Sequence, residues 1–121
     1  MLKKRVIPVL LLKNGRMVKG KNFSNYKDTG DPNKAVDIYS SQDADELIFI
    51  NISKDLISKK KFLEILNRAS KECSMPLCAG GGVTNSSDVK ELLELGADKV
   101  LVNSILTKKI DIIKDISKKF G

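Results

Sequence analysis

The chain predicts an α/β protein built from four consecutive β-α units. Two observations carry this. Short, nearly continuous apolar runs recur at 5–12 (RVIPVLLL), 46–52 (ELIFINI), 77–80 (LCAG) and 99–102 (KVLV), as parallel strands buried on both faces require. Between them lie segments whose apolar residues repeat at helical spacing. A single domain over 1–121 is expected, because 121 residues suffice for one modest core and not for two.

The opening MLKKRVIPVLLLKNG imitates a secretory signal, with basic residues before an apolar run. The run is short, contains Pro8 and lacks a small-residue cleavage site, so it reads as the first strand. Residues 13–30, KNGRMVKGKNFSNYKDTG, read as a long basic loop, and loops of that length in a compact domain are usually functional. Asp31-Pro32 then supplies an N-cap and a proline at the first helical position. After the second strand, Phe62, Ile65, Leu66, Ala69 and Cys73 mark one face of a helix. The third strand ends in Gly80-Gly81-Gly82. Thr84 to Ser87 offers capping groups for the next helix, which carries Val89, Leu92, Leu93 and Gly96. The fourth strand leaves through Asn103-Ser104, and Ile112, Ile113, Ile116 and Phe120 repeat the helical pattern. DADELIFINIS (43–53) and GADKVLVNS (96–104) echo one another: a turn, an Ala-Asp pair, a strand and a polar exit.

Composition narrows the function classes. The net charge is +7, but only Arg5, Arg16 and Arg68 among the 22 basic residues are arginine, the residue that reads guanines and clamps phosphates bidentately. Lys59, Lys60, Lys61, Lys118 and Lys119 fall where helix surfaces belong. With no RNP, helix-turn-helix or zinc-finger pattern, a lysine-coated solvated surface is the simpler account, and no nucleic-acid partner is expected. No segment is long enough to span a bilayer, so no membrane partner is expected either. Cys73 and Cys78 lack CxxC spacing and a secretory context, which places them as reduced thiols in a cytoplasmic protein. Histidine is absent, removing the commonest general base and transition-metal ligand. No metal and no cofactor are expected.

The glycine turn and the Asn-Ser pair are the candidate site. A strand-to-helix junction exposes free N–H groups and the positive end of the helix dipole. Glycines let an anion approach those groups closely. Gly81 and Gly82 thus read as a phosphate cradle, although a lone GGG equally serves a tight turn and is neither GxGxxG nor a Walker loop. Asn103 and Ser104 leave the next strand in the same sense. In parallel α/β proteins the carboxyl ends of the strands share one face, so the two turns converge and the anion site is favoured.

KRVIPVLLLKNGRMVKGKNF, GDP, DELIFINI, GGGVTNSSDVKELLELGADKVLVNS and the closing KKFG resemble the N-terminal half of the cyclase subunit of imidazole glycerol phosphate synthase. The resemblance covers essentially the whole chain. It implies a (βα)8-barrel family of the TIM-barrel type that takes ammonia from a glutaminase and closes an imidazole on a bis-phosphorylated substrate. It also implies that this chain stops after four of eight units, as a (βα)4 half-barrel with helices on the outer face. Carried over by position, phosphate contacts fall at Gly82, Asn103 and Ser104, and a substrate-binding loop lysine at Lys19. Arg5, Glu46 and Lys99 match charges around the lower mouth, where ammonia enters. Asp98 matches an acidic residue facing the glutaminase. The residues alone agree in part, since Arg5, Glu46 and Lys99 all sit at strand starts with opposite signs available for pairing; ordinary ion pairs at strand ends remain an equal account.

The departures weigh against catalysis. The family's acid/base aspartate falls at Leu11, and the aspartate of the second strand at Asn51. The opposing aspartate belongs to a fifth strand that the chain does not contain. Leucine transfers no proton and an asparagine amide is no useful base at neutral pH. The LLLKNG first strand is similar instead to the branch of the family associated with adding amidino groups to surface-polysaccharide sugars. The expected function is therefore binding of phosphate or a phosphosugar by a half-barrel that is not catalytic alone. Because helices cover one face only, Ile7, Val9, Leu11, Ile48, Ile50 and Leu101 are expected on an open apolar face between two unpaired strand edges, which predicts a homodimer or higher oligomer. The alternative is a component of an ammonia-using synthase or lyase, of the histidine-biosynthetic or amidino-sugar type, active only with a second half-barrel or a glutaminase.

Overall fold

The computed structural model describes residues 4–21, 24–102 and 110–121. The elements, in order, are β1 (Val9–Lys13), β2 (Arg16–Lys21), β3 (Ser24–Gly30), α1 (Pro32–Ser41), β4 (Leu47–Asn51), α2 (Leu56–Glu72), β5 (Leu77–Gly80), α3 (Ser86–Glu94), β6 (Lys99–Leu101) and α4 (Ile110–Phe120). They form one six-stranded sheet in the order β3-β2-β1-β4-β5-β6. The four strands β1, β4, β5 and β6 are parallel, each beside its predecessor. This is the βα succession that the apolar runs predict. The strands are shorter than those runs, and residues 5–8 lie before β1. Asp45 N–H nevertheless donates to the Val6 carbonyl and Ile48 N–H to that of Pro8, at 3.1 and 3.0 Å, so the pairing with β4 extends back along the chain.

The expectation of a loop over 13–30 is corrected. The segment is a β-hairpin, with β2 antiparallel to β1 and β3 antiparallel to β2. Its cause is local. Lys13 pairs with Arg16 across a two-residue turn, and both turn residues have positive φ: Asn14 at 52° and Gly15 at 76°. This is a type I′ turn, whose twist suits adjoining strands and which Asn-Gly adopts most readily. Arg16 donates to Asp28 through Nε (2.9 Å) and Nη2 (3.2 Å), and Asp28 Oδ1 also accepts from Gly30 N–H. The Arg16 bond, then the Gly30 N–H, hold the Asp28 carboxyl below its ordinary range. A second expectation changes with the first. The outer edge of β1 is not wholly unpaired, because Leu12 and Lys13 are taken by Met17 and Arg16 of β2.

The core lies on one face of the sheet. Leu10 and Leu12 of β1, Leu47 and Phe49 of β4, and Leu77 and Ala79 of β5 pack with Val36, Phe62, Leu66, Val89 and Leu92 from the helices. Three of the helix starts have a described sequence cause. Asp31 accepts from Asn33 N–H with Pro32 at the first turn, Asp55 accepts from Ser58 N–H, and Asn85 accepts from Asp88 N–H. Such caps each contribute about 0.5–2 kcal/mol. Gly96 lies beyond the end of α3, and Phe120 of α4 stays exposed. Among the described residues no helix is long and apolar enough to cross a membrane.

Strand alternation turns the other residues to the opposite face. The register aligns Val9, Ile48, Cys78 and Lys99 in one row, and Leu11, Ile50, Gly80 and Leu101 in the next. No helix of the described residues covers this side. Val9 is 54% exposed and Leu101 38%, whereas Leu10, the helix-face neighbour of Val9, is buried and Val100 and Val102, beside Leu101, are half-buried.

Candidate functional site

The carboxyl ends of β4 and β5 meet at the glycine turn. Gly81 has φ +102°, and a Cβ built there would lie 2.1 Å from the Asn51 carbonyl oxygen and 2.8 Å from its nitrogen. The turn is therefore glycine because β5 passes against the backbone at the end of β4. Gly82 differs. Its φ is +71°, but nothing lies within 4 Å of its would-be Cβ. Gly82 is exposed, and no hydrogen bond from its N–H occurs among the described residues. A free amide in a left-handed turn with no side chain in front of it is what an anion needs in order to approach.

The start of α3 is already occupied. Thr84 donates to Asp88 Oδ2 through both its N–H and its Oγ1, each at 2.9 Å, while Asp88 N–H donates to Asn85 Oδ1. Asp88 stands in the first turn, so the dipole of α3 is met by a carboxylate. The donor open to a ligand is thus in the glycine turn, one step before the helix. Asn103 and Ser104, the other half of the predicted cradle, lie outside the described residues. Two hollows of about 370 and 460 Å3 flank α1, one beside Met17 and Tyr39 and the other beside Arg16 and Arg68. Neither includes the glycine turn, and the cations of the second are engaged: Arg16 with Asp28, Arg68 with Glu72 at 3.2 Å, and Lys61 with Asn14 Oδ1 at 3.1 Å.

The two family acid positions do not share a face. Leu11 lies on the open face opposite Ile50, half-buried. Asn51 follows Leu47 and Phe49, is buried, and accepts Ser53 N–H on Oδ1 at 3.2 Å. Lys19 is exposed on β2.

At the opposite end, Lys99 Nζ lies 2.9 Å from Glu46 Oε1. The bond is lopsided, with the Glu46 side chain 6% exposed and that of Lys99 59%. The contact is an ion pair without good hydrogen-bond direction, since the same oxygen has no aligned donor. Burying a carboxylate costs several kcal/mol unless a cation compensates, and Lys99 is the described cation that does so. Arg5 is exposed and joins no ion pair among the described residues. Asp98 is turned onto β5: its Oδ2 accepts from Leu77 N–H at 2.9 Å while its own N–H donates to the Leu77 carbonyl at 2.8 Å. Sequence alone offered no sign of this two-bond clamp, which fixes β5 against the start of β6.

Both cysteines are free. Cys78, beside Lys99 in the open-face row, has its thiol pushed up first by burial and then by Glu46. Burial also raises Cys73. Neither is an activated nucleophile.

A family model described as "Histidine biosynthesis protein" matches residues 5–121. The chain is similar to the imidazole glycerol phosphate synthase subunit HisF of Dehalococcoides mccartyi, 46% identical over 121 residues, which is 100% of this chain and 48% of that relative. It is 44% identical to the same subunit from Bacteroides fragilis and 43% identical to that from Flavobacterium johnsoniae, with the same coverage. The chain spans about half the length of the curated relatives it matches. By that match over nearly all of its residues, the chain belongs to the histidine biosynthesis protein family.

Proposed function

We propose that this chain is a phosphate- or phosphosugar-binding (βα)4 half-barrel that self-associates and is not catalytic alone. The observation that carries it is the Gly82 turn, with its unengaged N–H, positive φ and open approach at the carboxyl ends of the parallel strands. In this reading Asn103 and Ser104, which follow β6 in sequence, belong to the same cradle, Gly81 shapes it, and Lys19 of β2 supplies a cation. The setting is cytoplasmic, and no cofactor is required for binding. Charge-assisted bonds to an anion contribute about 1.5–3 kcal/mol each, so two or three give weak, measurable affinity. Phosphate titrated against the 15N-labelled protein is expected to move the Gly82 and Ser104 amides saturably. Shifts confined to the lysine-rich helices would refute the cradle.

The second reading is an enzyme component, and one observation favours it. The matched relatives are synthase subunits about twice as long, and the buried Glu46 paired with Lys99, beside exposed Arg5 at the strand starts, makes a charged end suited to a complementary half or a glutaminase. On either reading the chain by itself lacks the acids. Incubated with ammonia and the family's bis-phosphorylated substrate, it is expected to show no turnover near ~1 s⁻¹, an ordinary enzyme's rate. Leu11→Asp alone is expected not to restore it, because the opposing carboxylate is still missing. Turnover by the unaltered chain would show that another group serves as the acid.

A further inference from the structure

We propose that the hollow between α1 and the β2–β3 hairpin binds a free α-amino acid with an aromatic or large apolar side chain. The hollow holds about 370 Å3, within the range of pockets that take small molecules, which are mostly apolar with a few placed polar groups. Its lining has that division. Met17 of β2 and Ala35, Ile38 and Tyr39 of α1 supply the apolar part, joined by Asp31 and Lys34. Residues three and four apart share a helix face, so Asp31 and Lys34 stand one turn before Ala35 and Ile38, at one end of the apolar stretch. Ala35 is the small residue of this face. Ile38, 54% exposed, is a large apolar side chain that the core does not cover. On the hairpin side Gly30 adds no side chain. A Cβ built there would touch only Met17 Cε, at 3.6 Å, so this wall is open as well.

The two charges name the ligand. Asp31 Oδ1 caps α1 by accepting from Asn33 N–H at 2.9 Å, while Oδ2 has no donor among the described residues. Arg16 is near enough to feel the charge of Asp31, but its guanidinium is bonded to Asp28. Lys34 is exposed and joins no ion pair among the described residues, with Asp31 or any other carboxylate. An unpaired carboxylate oxygen and an unpaired ammonium therefore stand side by side at the end of an apolar hollow. An α-amino acid carries the complementary pair on one carbon. Its ammonium donates to Asp31 Oδ2, and its carboxylate accepts from Lys34 Nζ. A head group held there sends its side chain along α1, over Ala35 and toward Ile38, Met17 and Tyr39. A lone anion or a lone amine would answer only one of the two charges.

The hollow does not include the glycine turn, so this site stands or falls apart from the phosphate reading. The test is a titration of the 15N-labelled chain with phenylalanine at constant ionic strength. Glycine, which has the head group alone, and 3-phenylpropionate, which lacks the ammonium, are titrated in parallel. Saturable shifts at the Gly30, Ala35, Ile38 and Tyr39 amides are expected with phenylalanine, in the roughly millimolar range. Both controls should bind at least about threefold more weakly. Asp31→Asn keeps a capping oxygen on α1 and removes the charge. It should weaken phenylalanine at least about threefold and leave 3-phenylpropionate unchanged, because that ligand has no ammonium to lose. Lys34→Gln should weaken both, and Ile38→Ser should weaken phenylalanine while leaving glycine as it was. Equal affinity for phenylalanine and 3-phenylpropionate, or an affinity for phenylalanine unchanged by either Asp31→Asn or Lys34→Gln, would overturn the grip on the head group. No saturable shift around the hollow would overturn the site.

Discussion

Gly81→Ala is expected to be among the most damaging single-methyl additions in this protein. The new carbon would meet the Asn51 carbonyl oxygen at 2.1 Å and its nitrogen at 2.8 Å. These are backbone atoms at the end of a strand hydrogen-bonded on both sides, so they cannot swing away as a side-chain tip would. Overpacking of this kind costs about 1–3 kcal/mol. The φ of +102° adds about 1–2 kcal/mol for an L-residue. A loss of about 2–5 kcal/mol is a large part of the ~5–15 kcal/mol that holds a domain together, and corresponds to a fall in Tm of about 6 °C or more. Gly82→Ala separates the two causes. It has positive φ but open space, so only the conformational cost, about 1–2 kcal/mol, applies. Thermal unfolding of both variants at one fixed protein concentration decides the matter. Equal losses would mean that the approach of β5 to β4 is not what requires glycine.

The sequence shows that a glycine is wanted in this turn, but not why. A run of three reads alike whether it serves a ligand, a turn or a close approach. In the structure Gly81 serves the approach and Gly82 faces the open side. The parallel strands and their helices were legible because burial leaves an apolar imprint, and the Asp31-Pro32 start because its cap chemistry is local. The hairpin was not legible as strand. Arg16–Lys21, RMVKGK, has almost no apolar alternation, because the stretch draws its order from the ladder and the Arg16–Asp28 bond more than from a buried face. Its signal was the Asn14-Gly15 pair, the strongest short-range mark of a hairpin, standing in the middle of an otherwise basic run. Long-range pairs divided in the same way. Opposite charges at Glu46 and Lys99 suggested pairing, since both start strands that turn out to be two places apart in one sheet. The Asp98 clamp on Leu77 depends on a backbone N–H, which leaves no trace in residue types.

Self-association is the other large expected effect, and it follows from the uncovered face. Val9 and Ile48 stand beside Cys78 in one row, and Leu11 and Ile50 beside Gly80 and Leu101 in the next. These are the positions that fill the interior of a closed barrel; here Val9 and Leu101 are exposed and Leu11, Ile48 and Ile50 half-buried. Burying ~500 Å2 of this surface per chain, ~1,000 Å2 in all, reaches the lower bound of specific interfaces. It contributes about 12 kcal/mol per chain before association costs. A two-fold pairing of β1 with β6 of a second copy is the simplest way to close eight strands. The hairpin narrows the choice. It takes β1 at Leu12 and Lys13 but leaves the edge at Val9–Leu11 without a β2 partner, so closure must use the amino-terminal part of β1, with β6 offering three residues. Face-to-face stacking hides the same side chains without those edges. Leu11→Asp distinguishes an assembly built on this face from one built elsewhere, because it places a carboxylate in the middle of the apolar layer. Burying that charge costs several kcal/mol, so the dissociation constant should rise at least about 100-fold at pH 7. It should recover as the pH falls and the aspartate takes up a proton, since the neutral form is the one the interface tolerates. Sedimentation equilibrium of the two proteins is the measurement. An unaltered chain that stays monomeric at micromolar concentration refutes self-association, and an oligomer indifferent to Leu11→Asp places its interface away from the open sheet.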